Sequence, residues 1–168
     1  MKRSAGLLIY RFKDGQPQVL LTHAGGPFWA KKDLGAWSIP KGLLEAGEDP
    51  LETAKREFKE ELGFEPPSGE AIELGEVKQS NKVVKAWAME GDYDTSQFRS
   101  NTTEIEWPPR SGQKIQIPEI DKAEWFGLPK AATKINKHQA TFLERLAEHL
   151  NLPPPETPSE PPKQATLF

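Results

Sequence analysis

The chain has 168 residues, with 22 Lys+Arg against 25 Asp+Glu, a formal charge of −3, three His and no Cys. That length suits one domain with its own core, and the missing Cys excludes a disulfide scaffold, a thiolate nucleophile and cysteine-ligated zinc. The acidic balance argues against a general nucleic-acid binder, and no apolar run nears the roughly 18 residues of a membrane span, so the expected location is the cytoplasm.

In chain order, Ser4 to Phe12 and Gln18 to His23 are rich in Leu, Ile, Val and Tyr and read as strands. They flank Lys13-Asp14-Gly15-Gln16, whose Asp-Gly is a hairpin signal. Ala36 to Ile39 reads as a short strand ended by Pro40. Ala71 to Lys78 and Val83 to Met89 read as two more, and Ala123 to Phe126 as the last. Between Gly91 and Ile120 lies a long irregular segment with Trp107-Pro108-Pro109-Arg110 in its middle; a loop of that length in a compact domain is functional or mobile. His138 to Leu150 places Phe142, Leu143, Leu146 and Leu150 at helical spacing, which predicts an amphipathic helix packed on the sheet. From Leu152 to Phe168 there are six of the sixteen prolines and little apolar surface, so the expected division is a folded domain over 1–151 and an extended tail over 152–168.

The charge is unevenly spread. Glu45 to Glu65 carries eight acids and three bases, a net of −5, and the rest of the chain is slightly basic at +2. Within this stretch a helix is predicted over 50–62. Asp49 is a good N-cap, Pro50 suits the first helical position, Glu52 stands where a capping box needs it, and Gly63 before Pro66-Pro67 is a left-handed stop. Leu51, Ala54, Phe58 and Leu62 form one stripe that meets the core. Glu57, Glu60 and Glu61 stand at i, i+3 and i+4 on another face, a like-charge spacing that costs a few tenths of a kcal/mol per pair. A solvated charged face is the ordinary reading of such a helix. Arg56 can pair with Glu52 and Glu60, four residues away on either side, but cannot neutralise all three carboxylates.

The wider pattern is Gly42, five residues, Glu48, seven residues, then Arg56-Glu57-Phe58-Lys59-Glu60-Glu61-Leu62-Gly63-Phe64. A chance match to so many fixed positions is rarer than about one in a million. It resembles the signature of the Nudix hydrolase family, with Phe58 where an aliphatic residue is commoner. The resemblance implies an α/β fold, the Nudix α/β/α sandwich with a mixed central sheet, and hydrolysis of a nucleoside diphosphate linked to another group, with Mg2+ or Mn2+. Hard divalent cations take carboxylate and carbonyl oxygens, and a diphosphate approaches three carboxylates only if cations screen the repulsion. By the same resemblance Glu57, Glu60, Glu61 and the Lys41 carbonyl are metal ligands. Arg56 and Glu48 orient the helix and its preceding loop, or form a plain structural ion pair. The general base is Glu57 or a carboxylate of the long segment, Glu104, Glu106 or Glu119, which equally can complete the metal shell.

Upstream, Trp37-Ser38-Ile39-Pro40-Lys41-Gly42 resembles members acting on diadenosine polyphosphates and diphosphoinositol phosphates. The Tyr and Pro that mark some dinucleoside-polyphosphate and ADP-ribose enzymes are replaced by Gln79-Ser80-Asn81-Lys82, which keeps damaged nucleoside triphosphates open as substrates. Lys31, Lys32 and Lys41 are candidates for phosphate contacts, and Phe28, Trp29, Trp37 and Trp107 for stacking on a base, Trp37 being equally readable as core. The terminal Gln164-Ala165-Thr166-Leu167-Phe168 resembles the peptide by which bacterial proteins dock on the DNA sliding clamp, with Gln164, Leu167 and Phe168 as contacts. The expected activity is metal-dependent hydrolysis of a dinucleoside polyphosphate or damaged nucleoside triphosphate. The rival is a catalytically silent nucleotide-binding module on the same fold.

Overall fold

In the computed structural model, residues 1–153 are described. The docking peptide expected at Gln164, Leu167 and Phe168 lies outside them. The first hairpin joins β1 (Lys2–Lys13) to β2 (Gln16–Ala24). Asp14 and Gly15 both have positive φ, 52° and 77°, the geometry of a turn whose twist matches its strands and which Gly accepts without strain.

After the hairpin come β3 (Trp37–Ser38), β4 (Lys41–Leu43) and α1 (Pro50–Leu62). Next are β5 (Ile72–Gln79), β6 (Lys82–Glu90), β7 (Thr102–Glu106), β8 (Lys114–Pro118) and β9 (Ile120–Gly127). Two helices, α2 (Leu128–Lys134) and α3 (Ala140–His149), close the domain. The seven-stranded sheet runs β3-β2-β1-β6-β5, with β4 on β1 and β9 on β2, and β7-β8 form a separate hairpin. β1 is the hub of the large sheet. One edge pairs parallel with β6 from Lys2 to Tyr10; the other meets β4 at Ser4 to Gly6 and β2 from Tyr10 to Lys13, both antiparallel.

Alternation along β1 sends its side chains into two separate cores. Leu8 and Tyr10 join Val84, Ala86 and Ala88 under Phe142, Leu143, Leu146 and Ala147 of α3. Ala5, Leu7 and Ile9 join Leu20, Trp87 and Met89 under Ala54, Phe58 and Leu62 of α1. A mixed sheet with helices on both faces is the expected sandwich. Burying a side chain such as Phe58 contributes about 2–3 kcal/mol, so α1 is held by its apolar stripe despite its acidic face.

Three elements differ from the sequence-based expectation. The segment 91–120 is only partly irregular: it holds a 3₁₀ turn at Thr95–Gln97 and the β7-β8 hairpin. The helix α2 was not expected, because it is one short stretch beginning at Leu128-Pro129, where Pro occupies the permissive first turn. Finally, β4 is three residues long and lies within the stretch read as a loop before α1.

Candidate functional site

The acidic helix begins and ends where its sequence places it. The Asp49 carboxylate accepts a hydrogen bond from the Glu52 amide at 3.0 Å, and Gly63, at φ 75°, donates to the Lys59 carbonyl at 2.7 Å. With both ends fixed, the orientation of α1 over β1 and β4 decides what its carboxylates meet. Glu61 turns inward and is 8 % exposed; Glu57 is partly buried and Glu60 is open to solvent. Glu57 packs on Gly42, where an added Cβ would lie 2.0 Å from its Cδ. That contact explains why a residue without a side chain stands at the end of the Trp37-to-Gly42 stretch.

Arg56 is the charge partner of this face. It lies 3.2 Å from Glu48, 3.5 Å from Glu57 and 3.8 Å from Glu60, while Glu52 pairs instead with Lys55 at 3.7 Å. Glu48 also accepts from the Glu45 amide at 2.8 Å, so the Arg56–Glu48 pair ties the loop before α1 to the helix.

Of the three carboxylates expected from the long segment, the fold brings one to α1. Glu119 lies just before β9, its amide donating to the Asn101 carbonyl at 2.9 Å and its carbonyl accepting from Gly25 at 3.0 Å. Glu106 instead accepts from the Gly112 amide at 2.8 Å and closes the β7-β8 turn, and Glu104 is exposed on β7. A cleft of about 310 Å³ collects Glu61 from α1, Lys41 from β4, Lys82 from β6 and Glu119, with Trp37 and Trp29 on its walls.

The electrostatics follow from this crowding. Burial pushes the Glu61 carboxyl up to about 8; the Lys41 ammonium opposes that rise and Glu119 and Glu57 add to it. Lys41 in turn is lowered to about 8 by burial and by the neighbouring Lys82, with Glu61 and Glu57 opposing. Glu57 is raised by burial and by Glu60, against Arg56, and Glu119 by burial and Glu60. Among the described residues no three carboxylate or imidazole groups yet close around one point at ligand distance. Arg56 draws Glu57 and Glu60 toward itself, so gathering the donors needs side-chain rotation. The donor chemistry fits a hard divalent cation: four carboxylates with oxygen ligands only, one of them buried beyond what a lone carboxylate tolerates.

The aromatic candidates separate. Trp37 is 3 % exposed, donates its indole N–H to Asp33 at 2.8 Å and stands edge-on to Phe126 at 5.0 Å; it is a core wall and has no ring face free to stack on a base. Phe28 is exposed, and Lys32 sits over its ring at 3.6 Å. Phe28 and Trp29 line a second hollow of about 380 Å³ with Ile105 and Ile117 of the β7-β8 hairpin, and Glu119 borders both cavities. The loop carrying these rings is anchored by buried His23. Its Nδ1 meets Asp121 at 2.8 Å and its Nε2 the Lys32 carbonyl at 2.6 Å, and only an imidazolium donates to both acceptors at once.

Sequence reading missed Gln139. Fully buried before α3, it accepts from the Ile39 amide at 3.0 Å and donates to Ser38 at 3.0 Å and Gln79 at 2.9 Å. It joins the strand leading to Lys41 with the β5-β6 turn leading to Lys82.

Comparison with known proteins agrees with this geometry. Nudix hydrolase 6 of Arabidopsis thaliana is 24 % identical over 72 % of this chain, which spans half of that protein's length. An RNA pyrophosphohydrolase of Gluconacetobacter diazotrophicus is 27 % identical, over 76 % of this chain and 78 % of its own. The structure of a C. elegans Ap4A hydrolase binary complex shares the fold, with a TM-score of 0.65 at 23 % identity over 90 % of this chain and 98 % of that one. Among the described residues no helix is long and apolar enough to cross a membrane. A NUDIX domain model matches residues 1–146, spanning both walls of the cleft and the whole acidic helix, and the chain therefore belongs to the NUDIX family.

Proposed function

We propose that this protein hydrolyses a diphosphate bond in a nucleotide, with Mg2+ or Mn2+ held by Glu57, Glu60, Glu61 and the Lys41 carbonyl. The observation that carries this reading is the convergence of Glu61, Glu119 and Lys41, from three separate segments, in one cleft. A divalent cation there supplies charge neutralisation on the phosphoryl oxygens. The chain's own groups do the rest. Arg56 and Glu48 hold α1 in register, and a carboxylate, Glu119 or Glu57, accepts the proton of the attacking water. One P–O bond to water forms, the anhydride P–O bond breaks, and the leaving phosphate departs with the balancing charge.

A dinucleoside polyphosphate or a damaged nucleoside triphosphate is the favoured substrate. The names of the relatives, for Ap4A and for RNA pyrophosphate, keep the same anhydride chemistry in view. Trp29 and Phe28, beside Glu119, are the rings available to a base. A silent binding module is disfavoured because all three helix carboxylates, Arg56 and Glu48 are present. The test is a panel of diadenosine polyphosphates, oxidised nucleoside triphosphates, triphosphate-ended RNA, sugar nucleotides and diphosphoinositol phosphates with magnesium. The wild type is expected to release a mononucleotide, monophosphate or pyrophosphate from at least one of them, and Glu61→Gln to be inactive but folded. No turnover from the wild type, or full turnover in the variant, defeats the proposal.

The tail adds a separate proposal, docking to a bacterial sliding clamp through Gln164, Leu167 and Phe168. A pull-down in which deletion of 164–168 leaves clamp binding unchanged, or in which the full chain does not bind, removes it.

A further inference from the structure

The cleft holds a second charged feature opposite its carboxylates. Lys82 opens β6 just after the turn Ser80-Asn81 and pairs with Gln79, while Lys41 stands on β4 opposite Gly6. Both side chains line the cavity that contains Glu61 and Glu119, and their ammonium groups are neighbours. Gly6 makes the room, since a Cβ there would lie 2.8 Å from Lys41 Cβ and 2.6 Å from the Pro40 carbonyl. Elsewhere lysines are neutralised: Lys55, Lys59, Lys85 and Lys134 each have a carboxylate within ion-pair distance. Neither Lys41 nor Lys82 has one among the described residues, although both are half-buried. Two adjacent ammonium groups in a partly desolvated wall repel each other, and a dense anion between them relieves that repulsion. The side-chain amides of Gln79 and Asn136 border the same wall and offer further donors.

We propose that Lys41 and Lys82 form a subsite for an additional phosphate, beyond the two joined by the scissile bond. The cleft then selects nucleotides with three or more phosphates in a row over diphosphates linked to a neutral group. A diphosphate occupies the carboxylate end alone and leaves the lysine pair unsatisfied. A longer chain spans both ends, its negative charge lying between two positive fields. The ammonium group suits the role, because a compact charge with three rotatable donors accommodates a tetrahedral phosphate in several orientations. The assignment deepens the hydrolase reading and rests on it for what the extra phosphate belongs to.

The test uses the full chain and two independent measurements. Calorimetric titration with inorganic tripolyphosphate in EDTA, at about neutral pH, is expected to show binding that Lys82→Gln weakens about ten-fold. Lys82→Arg retains it, and Lys78→Gln, which removes a charge from the neighbouring strand, leaves it unchanged. With magnesium, Lys82→Gln is expected to raise KM about ten-fold for a nucleoside triphosphate or diadenosine polyphosphate, while the KM for ADP-ribose stays as in the wild type. No tripolyphosphate binding by the wild type, equal binding by Lys82→Gln, or an equal rise in KM for both substrate classes overturns the subsite. Lysine-dependent tripolyphosphate binding with no hydrolysis of any nucleotide leaves the subsite standing and defeats the hydrolase reading instead.

Discussion

Replacing Glu61 by Gln is expected to stabilise the fold in alkaline, metal-free solution, though it removes a group that hydrolysis needs. Glu61 is 8 % exposed, and burial pushes its carboxyl from 4.5 up to about 8. The folded state therefore keeps a proton that the unfolded chain releases near its ordinary carboxylate value. The stability that proton contributes is complete below about 4.5 and is lost as pH rises toward about 8. A difference of that size corresponds to about 5 kcal/mol between the two protonation states. The variant recovers only part of this, because Lys41 loses the charge of Glu61 that partly offsets its own burial. About 3 kcal/mol is expected at the alkaline end, which for a domain of this size is a rise in Tm of about 6–12 °C. The assay is thermal unfolding followed by circular dichroism in EDTA, for wild type and variant, at about pH 5.5 and about pH 8.5. The two proteins should melt together at the lower pH, where Glu61 is protonated and nearly isosteric with Gln, and diverge at the higher. A Tm difference that does not change between the two conditions, or a variant that melts earlier at the alkaline pH, refutes the reasoning. Magnesium should reverse the order by stabilising the wild type more than the variant, since only a state that binds the cation gains from it.

Gly42→Ala places a Cβ where Glu57 now rests, 2.0 Å from its Cδ. The expected result is a fall in kcat of about 100-fold with a normal circular dichroism spectrum, because a small misplacement of a site group costs about that much; activity within a factor of about two of wild type excludes the contact as a positioning device. Gln139→Leu keeps the volume but leaves the Ile39 amide without its acceptor, and is expected to cost about 1–3 kcal/mol in urea unfolding. An unchanged midpoint would falsify the view that this side chain fastens the two strands.

Some parts of this molecule were legible because their signals are local. Asp49, Pro50 and Gly63 each satisfy a backbone group within a few residues, so α1 runs over 50–62 as its sequence predicts. Asp14-Gly15 likewise fixes the first hairpin through its own dihedral angles. Other parts depend on distant partners. Glu104, Glu106 and Glu119 are equivalent as letters in a string; only the course of the β7-β8 hairpin turns Glu119 toward α1 and the other two away. That hairpin escaped notice because its strands are mostly exposed and carry a weak apolar alternation. Gln139 gave no signal, since a glutamine with three buried partners and one in water look alike in sequence. Trp37 reads equally as wall or stacking platform until Phe126, more than 80 positions later, is seen against its ring.

The helix α3 has one more implication, for where this fold can be cut. The recognisable NUDIX region ends at residue 146, inside the helix, yet Ala147, Leu150 and Leu152 still pack on the core, and the Leu152 amide donates to the Ala147 carbonyl at 2.8 Å. A fragment trimmed to the recognisable boundary loses the last turn of α3, which clamps Gln139 and, through it, both strands that present the lysines. The smallest cooperative unit is thus longer than the stretch that identifies the family, and its final turn supports a site to which it contributes no reacting atom.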